Sequence, residues 1–313
     1  MKNSKNLIRP IRRPLINSFS SGSQLTFFDI PVSEPVVNVA SVPQRSPFRY
    51  PGGKTWLVPR VREWLRCLDT KPSLFVEPFA GGAIIGLTVA FEQLADRVIL
   101  VELDDQVAAV WKTILSDDNE WLAQRILSFE PTHDNVLAEL AKGSSSIRQK
   151  AFRTILKNRT FHGGILAPGS SLIKNGENGK GLKSRWYPTT LARRIRMIAK
   201  VRHRISFIEG DGLAAIRRYA DRQNSVFFID PPYTAGGKKA GARIYTHHTL
   251  DHQRLFELAT NITGDFLMTY DFADEVLALA VKHGFQTRTV AMKNTHHAQM
   301  TESLIGRDLS WMR

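Results

Sequence analysis

Short apolar runs alternate with longer amphipathic stretches along most of the chain. The short runs are rich in β-branched and aromatic residues, as buried strands are, and the longer stretches have a helical period. Seven strands are predicted, at residues 74–77, 98–101, 205–209, 226–229, 266–270, 288–292 and 302–305. Because helices are predicted between most of these strands and the last two form an antiparallel pair, the pattern predicts a doubly wound α/β sheet.

The alternation is interrupted between residues 113 and 204, which we interpret as an inserted, mainly helical domain. A glycine-rich loop within it contains two Asn-Gly pairs, which are typical of a β-hairpin turn. Four basic side chains are predicted on this hairpin: Lys174, Lys180, Lys183 and Arg185. The predicted catalytic domain then comprises residues 46–112 and 205–313, and residues 1–45, which have no sustained period, are predicted to form a flexible basic arm.

The formal net charge of the 313 residues is +14, and the excess positive charge is concentrated in one region of the chain. Residues 141–204 contain sixteen Lys or Arg and one acid, Glu177, a local net charge of +15. Such a concentration of positive charge indicates a polyanionic partner. We therefore expect the insert, and its hairpin in particular, to contact nucleic acid.

Composition also limits the class of protein. No apolar run reaches the roughly 18 residues of a transmembrane helix, and the N-terminus lacks the apolar stretch of a signal peptide. We therefore expect a soluble, cytoplasmic protein. The single cysteine, Cys67, is predicted to be a core residue of a helix and cannot build a multi-cysteine zinc site. The pairs His247-His248 and His296-His297 are interpreted as polar loop residues, so no metal is expected.

Within the arm, Gln24-Leu25-Thr26-Phe27-Phe28 is an apolar, aromatic segment in polar surroundings. It resembles the Gln-Leu-x-Leu-Phe peptide by which many bacterial DNA-processing enzymes dock on the replication sliding clamp, with Phe in place of the second Leu. The sliding clamp is therefore a candidate partner. Packing of the segment on the core is the alternative.

Three glycine-containing or acidic motifs precede the insert. The segment Phe48–Thr55 lacks the first glycine and the preceding strand of a phosphate-binding P-loop, so its glycine pair and Lys54 indicate a loop whose backbone approaches a ligand. The strand at 74–77 leads into the turn Pro78–Ala83 and a helix to about Leu94, the first unit of a nucleotide-binding fold. The next strand ends in Glu102, where such folds hold a ribose diol with a carboxylate.

A further motif, Asp230-Pro231-Pro232-Tyr233, follows the apolar run 226–229. A buried strand that ends in two prolines leaves a carboxylate, rigid carbonyls and an aromatic ring at its tip. An ordinary turn that ends a strand is the alternative interpretation of these four residues alone.

Taken in order, the glycine-lysine segment, the Phe-x-Glu-Pro-Phe-Ala-Gly-Gly turn, Glu102, Asp211 and Asp-Pro-Pro-Tyr resemble the Dam-like adenine-specific DNA methyltransferases. In that family the cofactor motifs come first, a target-recognition domain is inserted, and Asp-Pro-Pro-Tyr follows. The resemblance covers about residues 46–313, including the final segment up to Glu302-Ser303-Leu304-Ile305. It implies a Rossmann-like methyltransferase sheet and assigns target recognition to the insert.

The resemblance implies S-adenosylmethionine as the methyl donor and double-stranded DNA as the substrate. On this interpretation Glu102 binds the ribose hydroxyls and Asp211 the adenine amine of the cofactor, although Asp211 is equally typical of a helix N-cap. The residues implied for the cofactor are Tyr50, Gly53, Lys54, Glu77, Phe79, Gly81, Gly82, Glu102 and Asp211. The residues implied for catalysis are Asp230, Pro231, Pro232 and Tyr233.

The exocyclic amine of adenine is a poor nucleophile because its lone pair is delocalised into the ring. Asp230 and the Pro231 carbonyl can each accept a hydrogen bond from the amine and direct the lone pair at the sulfonium methyl. Tyr233 offers a ring on which a flipped base can stack.

Some alternatives stay open. Methylation of the exocyclic amine of cytosine uses the same chemistry, usually with Ser in place of Asp230, and RNA or protein-amide methyltransferases usually have Asn there. A non-catalytic DNA-binding protein that keeps the fold is a third alternative. Methylation of the cytosine ring carbon is a poor alternative, because it needs a nucleophilic cysteine after a proline and Cys67 follows Arg66.

Overall fold

A seven-stranded mixed sheet organises the computed structural model, which describes residues 41–49, 52–143, 146–174, 179–232, 250–293 and 299–312. The strands are β1 (Leu74–Glu77), β2 (Arg97–Glu102), β3 (Ile205–Glu209), β4 (Ser225–Ile229), β5 (Asp265–Asp271), β6 (Gln286–Lys293) and β7 (Gln299–Gly306). Their order across the sheet is β3-β2-β1-β4-β5-β7-β6. The first five are parallel, and β7 pairs antiparallel with both β5 and β6. The doubly wound, Rossmann-like sheet predicted from the sequence is thereby confirmed.

Helices cover both faces of this sheet. They are α1 (Val58–Cys67), α2 (Ile84–Glu92), α3 (Asp105–Leu115), α4 (Asn119–Ser128), α5 (His133–Ala141), α6 (Ile147–Thr160), α7 (Pro188–Val201), α8 (Gly212–Tyr219), α9 (His252–Thr260) and α10 (Asp274–Lys282). Among the described helices, none combines the length and apolar character that crossing a lipid bilayer requires.

The central strands explain why the sheet is covered on both sides. Every residue of β1 and β4 is buried, and neighbouring residues contribute to opposite cores because side chains alternate along a strand. Phe75 and Phe228 belong to the core under α1 to α7. Val76 and Phe227 belong to the core under α8, α9 and α10. Strands buried on both faces need the near-continuous apolar runs from which they were predicted.

The chain reverses its direction of winding between β1 and β4. From β1 it proceeds outwards through β2 to β3, and it then returns to the other side of β1 with β4. The connections after β1 and β4 therefore leave the sheet on opposite sides, which opens a crevice at the carboxyl ends of these two neighbours. The crevice brings the turn after β1 close to Asp230, the residue that follows β4.

The helices between β2 and β3 share a core with the sheet. Helix α6 packs on α3 and α4 packs on α7. Trp186 packs edge-on against Phe129 and Phe152, and Phe152 lies in the same apolar cluster as Phe75 of β1. The division of the chain at residues 113 and 204 into catalytic and inserted domains stays a prediction.

Helices α3 and α4 are separated by the polar segment Ser116–Asn119, which makes its own side-chain hydrogen bonds to the backbone. Two local predictions were wrong. The expected second hairpin strand is a 3₁₀ helix, Gly181–Arg185. Gly179 and Gly181 have φ values of 71° and 55°, which an extended strand excludes. Cys67, expected in a core, is exposed at the end of α1. The Asn-Gly pairs extend into 175–178, outside the described residues.

Candidate active site

Asp230 is held at the end of β4 by two neighbours from other elements. Thr269 of β5 donates a hydrogen bond of 2.7 Å to Asp230 Oδ1, and the Lys54 ammonium lies 3.0 Å from the same oxygen. The parallel register, in which Ile229 pairs with Met268, makes Thr269 the next residue opposite Asp230. The carboxylate is thus fixed in direction before any substrate arrives. Tyr233 lies outside the described residues.

Lys54 is itself fixed by its surroundings. Its side chain is 3% exposed, and its ammonium donates a hydrogen bond of 2.9 Å to the carbonyl of Gly52 and lies 3.6 Å from Glu302 of β7. Burial alone lowers the pKa of this ammonium, but the charges of Asp230 and Glu302 outweigh it and the net pKa is raised. The lysine that the sequence assigned to the cofactor pocket therefore contacts the predicted catalytic carboxylate. A role in cofactor binding stays a prediction, as does that of its exposed neighbour Gly53.

The glycine turn after β1 is tied to the end of β2. Gly81 adopts φ of 46°, and its N–H donates a hydrogen bond of 2.8 Å to Glu102 Oε2. The Gly81 carbonyl accepts a hydrogen bond of 2.9 Å from the indole of Trp111, which is fully buried on α3. A third contact joins Ala80 N–H to the carbonyl of Val101 at 2.9 Å. The turn and the carboxylate of Glu102 form one rigid unit, which Gly82 continues.

Glu102 lies in this unit with both oxygens engaged. Its Oε1 accepts the N–H of Asp104 at 2.9 Å, while Oε2 accepts that of Gly81. Burial raises the pKa of Glu102 to about 7, although these hydrogen bonds oppose the shift. A carboxylate has about four acceptor sites, so two backbone donors leave capacity for ribose hydroxyls. Leu103, the next residue, is 44% exposed and presents an apolar surface beside it.

Glu77 is the buried carboxylate at the end of β1. It is 3% exposed, and its Oε2 accepts the N–H of Gly86 at 2.8 Å. A Cβ at Gly86 would meet that oxygen at 2.4 Å, so α2 approaches β1 only because residue 86 is glycine. Burial raises the pKa of Glu77 well above its usual range, and the nearby charges of Asp230 and Glu102 add to the shift. The three carboxylates are therefore electrostatically coupled around the crevice.

Asp211 caps α8, as the alternative interpretation expects. Its Oδ1 accepts the N–H of Ala214 at 2.8 Å. A Cβ at Gly212 would lie 2.5 Å from the carbonyl of Pro78 and 2.6 Å from the ring of Phe79. The start of α8 therefore packs directly on the turn after β1, which brings Asp211 to the same edge as Phe79. Its contact with a cofactor amine stays a prediction.

The structure identifies site residues that the sequence did not single out. Thr269, Glu302 and Trp111 act on Asp230, Lys54 and Gly81 respectively. Glu302 carried a signal, because an acid within a predicted strand is buried only with a partner. Thr269 and Trp111 carried none.

The four basic residues predicted to bind DNA do not share one environment. Lys174 and Lys180 are exposed, Arg185 is half-buried, and Lys183 forms an ion pair of 2.9 Å with Glu130. Many other basic residues of 141–204 also pair with acids from residues 105–139. These pairs are Lys142–Glu139, Arg148–Asp118, Lys150–Asp105, Arg153–Glu139, Arg196–Glu120 and Arg202–Asp117. Part of the regional charge is thus balanced by the preceding segment.

No group of three or more His, Cys, Asp or Glu with the arrangement of a metal site occurs among the residues with described positions. The polar groups of the crevice are instead carboxylates, one ammonium and backbone amides. Such a set suits an organic ligand that carries positive charge and hydroxyl groups.

Comparison with known proteins gives one family match. A model of the D12 class N6 adenine-specific DNA methyltransferases matches residues 50–294, and no curated protein matches the chain. The rRNA methyltransferase aviRa from Streptomyces viridochromogenes is 13% identical, with 80% of this chain and 84% of that chain covered and a TM-score of 0.37. TrmK of M. capricolum, in complex with S-adenosyl-homocysteine, is 9% identical, with 79% of this chain and 66% of that chain covered and a TM-score of 0.34.

Proposed function

Because the chain belongs to the D12 class N6 adenine-specific DNA methyltransferase family, we propose that it transfers a methyl group from S-adenosylmethionine to the N6 amine of adenine in double-stranded DNA. The family match confirms the resemblance inferred from the sequence motifs. The observation that carries the proposal is the fixed position of Asp230 at the sheet crevice, 3.0 Å from Lys54 and 2.7 Å from Thr269.

The crevice residues fit S-adenosylmethionine. The coupled carboxylates Glu77, Glu102 and Asp230 suit a ligand that carries a sulfonium and an ammonium. Glu102 would hold the ribose hydroxyls, and the exposed side of Leu103 would contact the adenine ring. The Gly81 turn offers a backbone surface without a side chain. When bound, the cofactor supplies the electrophilic methyl group.

Asp230 would orient the substrate amine. Since Lys54 and Thr269 hold Oδ1, the carboxylate plane has one preferred direction. The carboxylate can therefore accept a hydrogen bond from the amine without its side chain having to be ordered at the moment of reaction. The Pro231 carbonyl, which Pro232 stiffens, would accept the second amine hydrogen. With both amine hydrogens held, the nitrogen lone pair would be directed at the methyl group that bound S-adenosylmethionine would supply.

The target base must leave the duplex, because its amine is unreachable inside the stack. Tyr233 is the proposed stacking partner for the flipped base, and such stacking contributes roughly 1–3 kcal/mol. Lys174, Lys180, Lys183 and Arg185 are proposed to contact the DNA. The segment Gln24–Phe28, proposed to dock on the sliding clamp, lies outside the described residues.

Incubation of duplex DNA with methyl-labelled cofactor, followed by identification of the modified base, tests the proposal. We expect label on the N6 nitrogen of adenine. Label on cytosine, or on RNA alone, would contradict it. Absence of any heat of binding for S-adenosylmethionine in calorimetry would favour a non-catalytic DNA-binding protein.

Asp230→Asn tests the role of the carboxylate while conserving its shape. We expect methyl transfer to be lost and the affinity for S-adenosylmethionine to change little, because Asp230 is assigned to the amine. Asp251→Asn, at the N-cap of α9, is a matched control. A large loss of cofactor affinity in Asp230→Asn would instead assign Asp230 to cofactor binding.

A further inference from the structure

Arg159, at the end of α6, is a buried cation with no acidic partner among the described residues. The residue is 5% exposed, one terminal nitrogen of its guanidinium donates to the carbonyl of Pro47, and its Nε has no hydrogen-bond partner in the described structure. Buried arginines are normally paired with a carboxylate, because an uncompensated charge in the interior is costly. Arg159 thus retains donor capacity that the described protein does not use.

The groups around Arg159 are also cationic. Burial lowers the pKa of Arg159 to about 9, and the charges of Arg194 and Arg49 lower it as well. Arg194 of α7 is half-buried and donates a hydrogen bond of 2.9 Å to the carbonyl of Ser46. Tyr187, which is 55% exposed, lies close enough to act on the same guanidinium. We call Arg49, Arg159 and Arg194 the arginine recess.

Neighbouring arginines on the same helices show that this arrangement is specific. Arg153, six residues earlier on α6, pairs with Glu139 at 3.3 Å. Arg196, two residues after Arg194 on α7, pairs with Glu120 at 2.7 Å. Arg153 and Arg196 thus have acidic partners within reach. At the recess the described structure concentrates positive charge instead.

The recess is linked through described residues to the glycine turn after β1. The side chain of Asn158, 1% exposed, accepts the N–H of Arg49 and donates to its carbonyl, both at 2.9 Å. It also donates to the carbonyl of Gly164 at 2.7 Å. Phe48, the residue before Arg49, packs on Trp111, whose indole donates a hydrogen bond to the glycine turn. An anion in the recess would therefore lie on the side of the molecule where this turn borders the crevice.

We propose that the arginine recess binds one phosphodiester of the DNA backbone next to the target nucleotide. Guanidinium groups that lie near one another match the several acceptor oxygens of a phosphate, and the anion would supply the negative partner that Arg159 lacks among the described residues. This inference rests on the proposed function, since duplex DNA is the polyanion that the site would meet. A phosphate contact sets the register of the duplex without reading its sequence.

The salt dependence of duplex binding tests the recess. We expect Arg194→Gln to reduce the slope of log affinity against log salt concentration by about 0.9, the value for one lost phosphate contact, equally for duplexes of unrelated sequence. Arg196→Gln, on the same helix but already paired with Glu120, should leave the slope unchanged. An unchanged slope in Arg194→Gln, or an equal reduction in the Arg196→Gln control, would overturn the proposal that the recess binds a phosphate.

Two further measurements separate the possible failures. If the wild-type protein binds no duplex DNA, both the phosphate site and the proposed function are overturned. Normal wild-type binding with an unchanged slope in Arg194→Gln overturns the phosphate site alone. Arg159→Met should weaken duplex binding without lowering the melting temperature of the DNA-free protein, because it removes an unpaired buried cation. A marked fall in that melting temperature would show that Arg159 serves the fold rather than a phosphate.

Discussion

Replacing Lys54 by methionine tests whether this lysine positions Asp230. The change keeps most of the side-chain length and removes a charge that is 3% exposed, 3.0 Å from Asp230 and 3.6 Å from Glu302. Breaking a buried ion pair costs about 3–5 kcal/mol because the remaining charge stays buried without compensation. The Asp230 side chain is 22% exposed and keeps its bond from Thr269. We therefore expect the free energy of unfolding to fall by about 3 kcal/mol, the lower end of that range.

The size of this loss should depend on pH. In the wild type, the raised pKa of Lys54 means that the stability from its ammonium is present below its unfolded pKa of about 10.4 and is lost only at higher pH. The variant lacks this ammonium at every pH. The difference from the wild type should therefore be fully present below about pH 10.4 and should shrink as the pH rises through the raised pKa of Lys54.

Urea denaturation near pH 8 and near pH 11 measures this difference. Lys112→Met is the control, because Lys112 pairs with Glu209 at an exposed site where an ion pair contributes below about 1 kcal/mol. A loss in Lys54→Met no larger than in the control, or a loss independent of pH, would refute the role of the buried charge.

Kinetics distinguish the two roles open to Lys54. If it positions Asp230, single-turnover methyl transfer should slow by roughly 100-fold at saturating cofactor, since small displacements of a catalytic group cost that much. The affinity for S-adenosylmethionine, measured by calorimetry, should stay nearly constant. A large loss of cofactor affinity with a normal single-turnover rate would instead assign Lys54 to cofactor binding, the role that its glycine-rich motif indicated.

Two further changes test the cofactor side of the crevice. Because burial raises the pKa of Glu102 to about 7 and the ionised form is the better acceptor for ribose hydroxyls, calorimetric affinity for S-adenosylmethionine should fall up to tenfold per pH unit below about 7. Glu102→Gln should bind weakly without this dependence, and a flat wild-type profile would contradict the assignment. Gly86→Ala places a Cβ 2.4 Å from Glu77 Oε2 and should cost about 1–3 kcal/mol in urea denaturation, whereas Gly143→Ala, with open space around it, should not. Equal stabilities of these two variants would refute the close approach of α2 to β1.

The sheet was predictable because its strands carry their own signal. β1 and β4 are buried on both faces, and only uninterrupted apolar runs satisfy that requirement. The carboxyl-end positions of Glu102 and Asp230 then followed from parallel strand order. Elements whose conformation depends on packing were less predictable. The 3₁₀ helix Gly181–Arg185 forms where Leu182 and Trp186 insert into a core that the Asn-Gly signal does not reveal.

The support around Asp230 could not be predicted in the same way. Thr269 reaches it through the β4–β5 register, and Glu302 reaches Lys54 through the antiparallel return of β7. A sequence pattern identifies a strand but not its partner or the residue opposite each position. The role of each basic residue in the charged region was unpredictable for the same reason. Arg153 and Arg196 cannot be distinguished from Arg194 until their acidic partners are known.

The charge balance of the crevice bears on product release as well as on binding. Glu77, Glu102, Asp230 and Glu302 surround one described ammonium, that of Lys54, so the crevice has an excess of acidic groups. S-adenosylmethionine carries a sulfonium that is lost when the methyl group leaves. The sulfonium favours the ionised forms of Glu77 and Glu102, whose pKa values burial raises, so the crevice attracts the donor more strongly than the demethylated product. Lys54 limits this excess on the side of Asp230, where the approaching adenine amine must find an oriented acceptor.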